Sequence, residues 1–468
     1  MQTRPLHPLS APSFHLSTAW WLALGTAIAV SGCASATPPD ATSRTAPRTA
    51  QQPAAVPAPT APAPLITPTT PAVSSAATAA TAAVSPTGTA ESAEQAAFVA
   101  WRDQFSTQAL AANIRPETVR TVLGNAQLLP RVVDLDRAQP EFTRTPWAYL
   151  DSAVSAQRIA QGQAKRAEHQ APLDAAAARY GVPAPVITAI WGMESNYGSN
   201  FGTFRAVDAL ATLAFEGRRR TWAQTELLAV LRIVDQGDIA ADRMIGSWAG
   251  AMGHTQFLPS VFLTYAVDSD GDGHRDIWGS IPDVTASTAH FLSRMGWQSG
   301  QPWGVEVQLP AGFDYARAEL TTRQNATAWA AEGVRALDGQ ALPEMGEASV
   351  ITPAGARGPA FLVGANFRTI LRYNNSVNYA LGVSLLARQI EGGPPIATAW
   401  PRDIEPLRRD QLRQLQTALN DKGFDAGTPD GVMGPATRAG LRRFQQSIGA
   451  VADGYPTAAL LERLQGPQ

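Results

Sequence analysis

One glutamate stands at the end of a short apolar segment, where it could act as a proton donor. Within residues 183–198, Ile187, Ile190 and Trp191 recur at three- and four-residue spacing and lead to Glu194. That spacing is typical of one face of a helix. A carboxyl at the end of an apolar face loses hydration, which raises its pKa toward the range that a general acid needs. The same spacing also fits a glutamate at a helix end that turns to water.

A second group of acidic side chains has the spacing of a cation-binding loop. Residues 268–276 begin with the pattern Asp-x-Asp-x-Asp-Gly, which opens calcium loops of the EF-hand type. The first four ligands would be Asp268, Asp270, Asp272 and the backbone carbonyl of His274. Position twelve is Gly279 rather than glutamate, so Asp283 would have to complete the site. We expect a structural calcium ion, or sodium, although a solvated turn without metal has the same pattern.

Composition excludes several other kinds of chemistry. The chain has 468 residues, a formal net charge of −2, one cysteine and six histidines. A single cysteine excludes an intrachain disulfide, a cysteine-rich zinc site and an iron–sulfur cluster. The histidines form no HExxH pair, and a chain with balanced charge has no field that would attract nucleic acid. The sequence therefore predicts neither a metalloprotease, nor a redox enzyme, nor a nucleic-acid-binding protein.

The first 33 residues have the features of a bacterial lipoprotein signal peptide. An apolar run, 18–30, follows a segment that contains Arg4, and it is too short for a comfortable membrane span. It leads into Val30-Ser-Gly-Cys33, which resembles a lipobox and contains the only cysteine of the chain. The resemblance implies that Cys33 is lipidated and that Ala34 directs the protein to the outer membrane. The alternative is an ordinary secretory signal, or a short anchor helix, with a chance cysteine.

The elements that must position the glutamate lie further along the chain. Residues 34–92 are mostly Ala, Pro, Thr and Ser without an aromatic residue, so they predict a disordered tether. Residues 93–393 show mainly helical periodicity, with a more strand-like stretch at 303–363. A Gly-Gly-Pro-Pro break at 392–395 ends this large domain. We expect a mainly α-helical, α+β catalytic domain followed by a small module of three helices.

Residues 405–466 resemble a peptidoglycan-binding type 1 domain. The pattern Asp-Gly-x-x-Gly-x-x-Thr, followed by Phe-Gln, is carried by Asp430, Gly431, Gly434, Thr437, Phe444 and Gln445. Most of these residues suit a turn or a core, so they identify no ligand contact, and a plain three-helix packing module is the alternative. The resemblance implies binding to peptidoglycan, which would raise the local substrate concentration for a neighbouring catalytic domain.

Three motifs of the large domain occur together, in this order, in one enzyme family. They are Met193-Glu-Ser-Asn-Tyr-Gly198, Ala249-Gly-Ala-Met-Gly-x-x-Gln-Phe-x-Pro259 and Tyr373-Asn-x-Ser-x-x-Tyr379. With these motifs, residues 93–393 resemble the MltB-type family of membrane-bound lytic murein transglycosylases. The resemblance implies a lysozyme-like fold and cleavage of the β-1,4 bond between MurNAc and GlcNAc in peptidoglycan.

The resemblance also implies a role for each matching residue. Glu194 matches the family's single catalytic acid/base. The residues that match substrate-binding positions are Ser247, Gln256, Tyr373, Asn374, Tyr379, Arg218 and Arg219. The two arginines belong to the triplet 218–220, which lies where the family has an arginine pair near the peptide stem; a solvated charge cluster has the same composition. The family needs no cofactor for its chemistry, and it has an EF-hand-like loop with a later acidic ligand.

One carboxyl is enough for this reaction if the substrate assists. The N-acetyl oxygen of MurNAc can attack the anomeric carbon while Glu194 protonates the leaving oxygen. Glu194 would then deprotonate the MurNAc 6-hydroxyl, which closes a 1,6-anhydro ring without consuming water. A muramidase that hydrolyses the bond with the same Glu194, and a non-catalytic peptidoglycan-binding lipoprotein, are the alternatives. We expect a monomer in the periplasm, held to the outer membrane by its lipid anchor.

Overall fold

The computed structural model describes residues 87–137 and 144–466. These residues all belong to one compact unit. Cys33, the signal peptide and most of the predicted tether lie outside these residues. Helix α1 begins at Thr87, so residues 87–92 are helical, whereas the sequence predicted a tether through residue 92. No helix in the described ranges is long and apolar enough to cross a membrane.

Helices dominate the described part of the chain, and the strands are short. The helices are α1 (Thr87–Ala111), α2 (Pro116–Thr118), α3 (Pro130–Arg137), α4 (Pro146–Ala153), α5 (Ala156–Glu168), α6 (Gln170–Tyr180), α7 (Ala184–Ser195), α8 (Ala206–Glu216), α9 (Arg220–Gln236), α10 (Pro259–Tyr265), α11 (Ile281–Arg294), α12 (Ala326–Ala331), α13 (Ala365–Tyr373), α14 (Val377–Ile390), α15 (Arg409–Asp421), α16 (Pro435–Ser447) and α17 (Ala458–Gln465). The strands are β1 (Phe204–Arg205), β2 (Ile245–Gly246), β3 (Gly304–Gln308), β4 (Arg335–Ala336), β5 (Ser349–Ile351) and β6 (Ala360–Val363).

Capping side chains explain where many of these helices begin. Before α4, α5, α11, α12, α14 and α17 stands a Ser, Thr or Asn whose side chain accepts a hydrogen bond from the backbone N–H of the third helical residue. Such a cap satisfies a backbone donor that has no partner within the helix. The capping residues are Thr145, Ser155, Ser280, Asn325, Ser376 and Thr457. Two of these caps therefore fix the starts of helices that carry predicted site residues, α11 and α14.

Helix α7 runs through the centre of the main hydrophobic core. It packs against α5, α6, α11 and α14. It is apolar all round, with residues 184–192 and Ser195 buried, which is typical of a helix without a solvent face. Only Met193 and Glu194 are partly exposed. The surrounding core therefore fixes the position of Glu194, and the helix reaches solvent only in its last turn.

A four-stranded antiparallel sheet with the order β4-β3-β6-β5 lies within the stretch predicted to be strand-like. In its central pair, Val305 of β3 lies opposite Leu362 of β6. The sheet has a small core of its own around Trp329, Val350 and Leu362. Together with the C-terminal helices α15–α17, this confirms the predicted fold class: mainly α-helical, with a small sheet and a three-helix module.

The C-terminal module is held together by two Asp–Gly turns, each bound by a buried glutamine. The amide of Gln416 donates to Asp430 Oδ1 at 3.0 Å, and its carbonyl oxygen accepts from the Gly431 N–H at 2.7 Å. Gln445 binds the second turn, residues 453–454, with the same two contacts at 2.7 and 2.8 Å. The motif residues of this module thus serve its turns and core, in agreement with the sequence.

The module also packs against the rest of the described chain. Tyr455 of the module joins Trp147 and Ala354 in one small apolar cluster, together with Ile404 of the connecting segment. Oδ2 of Asp453 accepts a hydrogen bond from the backbone N–H of residue 356, at 2.9 Å. The module is therefore docked onto the large domain by both apolar and polar contacts.

Candidate active site

Helix α7 ends just after Glu194 because the residues that follow leave the right-handed helical conformation. Asn196, Tyr197 and Gly198 all have positive φ, at 49°, 59° and 83°. Such a run is costly for residues with a side chain, so it needs specific support. Ser195 supplies part of it: its Oγ accepts from the Gly198 N–H at 3.1 Å and donates to a backbone carbonyl 2.9 Å away. The turn thus fixes the end of the helix that carries the glutamate.

The carboxyl of Glu194 is in direct contact with Tyr379. The tyrosine hydroxyl donates to Glu194 Oε1 at 2.5 Å. Burial raises the pKa of Glu194 to about 7, and the hydrogen bond from Tyr379 opposes that rise. The pKa of Tyr379 is itself raised well above 10, first by burial and then by the charge of Glu194, so its hydroxyl keeps its proton. At neutral pH the pair can therefore present a protonated carboxyl and later accept a proton back.

Tyr373 and Asn374 lie beside this pair, where α13 ends and α14 begins. The Tyr373 ring stacks on that of Tyr379, with the planes 14° apart and the centroids separated by 6.5 Å. The Tyr373 hydroxyl donates to the backbone carbonyl of Thr255 at 2.6 Å, which ties α13 to the second motif. Asn374 is exposed and caps the end of α13. The structure therefore brings Tyr373 and Tyr379 to Glu194 and places Asn374 at the edge of the same cluster.

The second motif forms a tight loop that follows the two-stranded pairing of β1 with β2. Ser247 Oγ accepts from the Ala251 N–H at 3.1 Å and so closes the first turn of the loop. Gln256 has a φ of 49°, and its amide donates to the backbone carbonyls of Phe201 and Gly253 at 3.1 and 2.9 Å. Both predicted substrate-binding side chains thus hold the loop backbone in place.

The glycines of this loop serve the protein's own packing. Gly250 and Gly253 both have positive φ. A Cβ on Gly250 would lie 2.8 Å from the side chain of Leu210, and a Cβ on Gly253 would lie 2.6 Å from the backbone oxygen of Ile277. Glycine is therefore required at both positions, because the backbone is left-handed there and the core approaches it closely.

The predicted arginines are bound by a buried acid that the sequence did not single out. Arg218 and Arg219 contact opposite oxygens of the Asp136 carboxylate, at 3.3 and 3.2 Å. The guanidinium of Arg219 also lies 4.5 Å from the centre of the Trp222 ring and 5.8 Å from that of Trp248. Through Trp248 the arginines border the loop that begins at residue 247. Their shared carboxylate partner holds the two guanidinium groups together, and both arginine side chains are exposed.

Two further residues, one near Glu194 and one beside the turn that follows it, were missed by sequence analysis. Tyr149 on α4 has its pKa raised to about 12, by burial and then by the charge of Glu194. His254 accepts a hydrogen bond at Nδ1 from the Trp191 indole at 2.8 Å, and burial lowers its pKa. Its backbone carbonyl is the one that Ser195 binds. For His254 a signal existed, since it lies within the second motif; for Tyr149 the sequence offers none.

Three of the predicted carboxylate ligands lie together in the acidic loop. Carboxylate oxygens of Asp268, Asp270 and Asp283 all lie within 4.8 Å of one another. Asp283 is buried at the start of α11 and accepts backbone hydrogen bonds from residues 269 and 276, at 2.7 and 2.8 Å. Asp272 instead accepts from the backbone N–H of His274 at 2.8 Å. The loop is a compact cluster of hard oxygen donors, which is the donor chemistry that calcium prefers.

Comparison with known families adds two matches. Residues 97–388 match the transglycosylase SLT domain, and residues 408–464 match the putative peptidoglycan binding domain. These ranges correspond to the two folded parts described above.

Individual relatives agree with these families. Membrane-bound lytic murein transglycosylase B of Escherichia coli (strain K12) is 31% identical over 290 residues, which is 58% of this chain and 78% of that protein. The crystal structure of SltB3 from Pseudomonas aeruginosa in complex with NAG-anhNAM-pentapeptide superposes with a TM-score of 0.77 at 52% identity, covering 79% of this chain and 99% of that one. Escherichia coli Slt35 in complex with calcium superposes with a TM-score of 0.55 at 30% identity, covering 62% and 92%.

Proposed function

This chain belongs to the transglycosylase SLT-domain family, and on that basis we propose the reaction that it catalyses. It is a lytic transglycosylase that acts on peptidoglycan, as its relatives are. We propose that it breaks the β-1,4 bond between MurNAc and GlcNAc without water and leaves a 1,6-anhydroMurNAc end. The observation that carries this proposal is the pKa of Glu194, raised by burial to about 7 beside the Tyr379 hydroxyl.

In the first half of the reaction, Glu194 acts as the general acid. Its proton goes to the glycosidic oxygen as the bond to the anomeric carbon breaks, and GlcNAc leaves with a free 4-hydroxyl. The N-acetyl oxygen of MurNAc forms a bond to the anomeric carbon in place of the glycosidic oxygen. Because burial holds the pKa of Glu194 near neutrality, the carboxyl is protonated often enough to act at that pH.

In the second half, the same group acts as the base. The Glu194 carboxylate removes the proton of the MurNAc 6-hydroxyl, whose oxygen attacks the anomeric carbon and releases the N-acetyl group. The proton returns to Glu194, so the enzyme is restored and no water is consumed. Substrate assistance needs this one carboxyl, whereas a two-carboxylate mechanism would need a second acid about 5–10 Å away.

The residues around Glu194 are proposed to position the substrate rather than react with it. Tyr379 orients the carboxyl, and Tyr373 supports Tyr379 by stacking. Gln256 uses its amide nitrogen on backbone carbonyls, so a contact with the sugar would be made by its Oε1. Contacts with the substrate are also proposed for Ser247, Asn374, Arg218 and Arg219.

Mass spectrometry of the products tests the reaction. The purified chain is incubated with sacculi, and the soluble muropeptides are compared with those from a hydrolytic muramidase. Transglycosylation predicts products that end in 1,6-anhydroMurNAc and are lighter by one water. Reducing MurNAc ends would show that water, and not the 6-hydroxyl, attacks in the second half, which would refute the proposed mechanism while leaving Glu194 as the acid.

We further propose that the acidic loop binds calcium as a structural ion. Asp268, Asp270 and Asp283 would hold it, and it would supply a cross-link between the loop and α11, with no part in bond cleavage. Calcium is expected to raise the melting temperature of the wild-type chain. The variant Asp270→Asn, which changes an exposed ligand, should lose that increment and keep the melting temperature of the calcium-free protein. An equal calcium increment in both proteins would contradict the site.

The proposed location follows from the N-terminal segment, which lies outside the described residues. We propose that Cys33 is lipidated and anchors the chain in the outer membrane, facing the periplasm, while the C-terminal module binds peptidoglycan. The Cys33→Ser variant is expected to move from the membrane fraction to the soluble fraction of cells. Retention of this variant in the membrane fraction would point to an uncleaved anchor helix instead.

A further inference from the structure

The imidazole of His254 lies directly against the last turn of α7 and the turn that follows it. Its Nδ1 accepts a hydrogen bond from the Trp191 indole at 2.8 Å, and Trp191 lies one helical turn before Glu194 on α7. A Cβ on Gly198 would lie 2.1 Å from Cε1 of the ring, so the imidazole is in close contact with that turn. The ring also has two aromatic neighbours, with centroids 5.7 Å away for Trp191 and 5.4 Å for Phe201. The side chain therefore packs against the helix end that carries the glutamate.

The hydrogen bond from Trp191 requires a neutral imidazole. Burial lowers the pKa of His254 below 6.5, although the backbone of Trp278 and the charge of Asp276 oppose that change. A protonated Nδ1 could not accept a hydrogen bond, whereas a neutral ring with its proton on Nε2 can. Trp191 is buried, so removal of the imidazole would take away the acceptor of a buried N–H group, which is costly.

The backbone of His254 ties the same helix end to the acidic loop. Its N–H donates to the Ile277 carbonyl at 2.9 Å, and its own carbonyl accepts from Ser195 Oγ at 2.9 Å. The preceding residue in the loop, 276, donates its backbone N–H to the buried Asp283 carboxylate at 2.8 Å. One residue thus connects the end of the acidic loop with the end of α7, through its side chain on one face and its backbone on the other.

We propose that His254 is a positioning residue for Glu194, which holds the end of α7 against the end of the acidic loop. The inference rests on the proposed function, because that reaction needs the Glu194 proton at a fixed place beside the glycosidic oxygen. His254 acts through Trp191 and Ser195, which belong to the same helix end, and not on the substrate. A displacement of about 1 Å can cost a catalytic group much of its efficiency, so the contact should support kcat more than substrate binding.

The test compares variants of the full chain on a soluble peptidoglycan oligomer. His254→Leu removes the acceptor of the Trp191 indole, and His254→Asn restores an acceptor near the position of Nδ1. We expect His254→Leu to lower kcat about tenfold or more with KM within about twofold, and His254→Asn to regain most of that loss. His290→Leu is the control. It changes another half-buried histidine, on α11, whose Nδ1 lies 2.9 Å from the Tyr265 carbonyl, and it should leave kcat and KM unchanged.

Loss of folded protein must be separated from loss of positioning. Rates are therefore divided by the folded fraction, which circular dichroism measures. Should His254→Leu not fold, His254→Gln takes its place, because its amide lies one bond farther from the backbone than Nδ1 does. If the variant without the acceptor keeps the wild-type kcat, or if His254→Asn loses as much as it does, the positioning role is overturned and the proposed function stands. A raised KM at unchanged kcat would overturn it as well, since His254 would then act on substrate binding. If the wild-type chain does not cleave the oligomer, the proposed function itself fails.

Discussion

Two glutamates of the helical domain, Glu194 on α7 and Glu226 on α9, differ sharply in how their carboxylates are bound. Glu226 is buried, and both oxygens are occupied: Oε2 accepts from the Ser260 N–H at 2.9 Å and Oε1 from the Ser260 hydroxyl at 2.7 Å. Glu194 has a hydrogen bond on Oε1 alone within the described residues, from Tyr379. Both carboxylate oxygens of Glu226 are thus hydrogen-bonded at the start of α10, whereas Oε2 of Glu194 remains available to a substrate.

The difference separates a structural acid from a reactive one. Ser260 belongs to the first turn of α10, whose backbone N–H groups have no partner within the helix. Glu226 therefore acts as a cap from a distance and joins α9 to α10. Glu194 stands at a helix end where burial raises its pKa to about 7 and the neighbouring groups are phenols. A buried carboxylate is poised for proton transfer when its environment leaves it incompletely satisfied.

The largest expected effect comes from removing the reactive acid. Glu194→Gln keeps the shape of the side chain and abolishes its proton chemistry, so cleavage of sacculi should fall by about 10³-fold or more. Glu226→Gln is the matched control, with the same chemical change at the saturated site, and should keep activity within about threefold. Product release from sacculi measures both. If the two variants lost similar amounts of cleavage activity, Glu194 would not be the specific catalytic acid.

Glu194→Gln, which should abolish activity, should nevertheless raise the stability of the fold above neutral pH. Burial raises the pKa of Glu194 from 4.5 to about 7, so the folded chain binds a proton that the unfolded chain has already lost in this interval. The free energy of unfolding therefore falls as pH rises from about 4.5 to 7. Glu194→Gln escapes this loss and should be more stable than the wild type at pH 8 by about 3 kcal/mol, with no advantage at pH 4. Denaturant unfolding at the two pH values measures the difference.

Glu226→Gln should lower the stability of the fold and leave the cleavage activity nearly unchanged. In Glu226→Gln, one oxygen becomes an NH₂ group that cannot accept from Ser260, so a charge-assisted hydrogen bond at the start of α10 is lost. The free energy of unfolding should fall by about 1–2 kcal/mol. The sign is opposite to that expected for Glu194→Gln at pH 8, which makes the pair a sharp test. An unchanged or higher stability would mean that Glu226 does not support α10.

Sequence patterns identified the local part of this site. The spacing of Ile187, Ile190 and Trp191 predicts a helix that ends near Glu194, because helical periodicity depends only on residues three and four apart in the sequence. The observed α7 begins at Ala184 and ends at Ser195. The resemblance to a family added Tyr379, which lies 185 residues from Glu194 in the chain and beside it in space.

The rest of the site depends on tertiary contacts that no local pattern encodes. Glu194 and Glu226 are both glutamates near apolar helical residues. The contact with Ser260, which identifies Glu226 as a helix cap, is visible only in the folded structure. Tyr149 has no motif around it, and it reaches the site because α4 packs against α14. Gly250 lies against the side chain of Leu210, a contact that its own motif does not indicate.

The smallest expected effect comes from the one hydrogen bond that Glu194 does have. The Tyr379 hydroxyl lowers the pKa of Glu194, so Tyr379→Phe should raise it further. Because the acid must be protonated to act, the alkaline limb of the kcat/KM profile should move to higher pH, while kcat falls by less than about tenfold through poorer orientation. Tyr373→Phe is the control, since its hydroxyl binds the Thr255 carbonyl and not Glu194; it should leave the alkaline limb in place. A limb that moves to lower pH in Tyr379→Phe would mean that the phenol stabilises the protonated carboxyl, and Glu194 would then owe its raised pKa to Tyr379 as well as to burial.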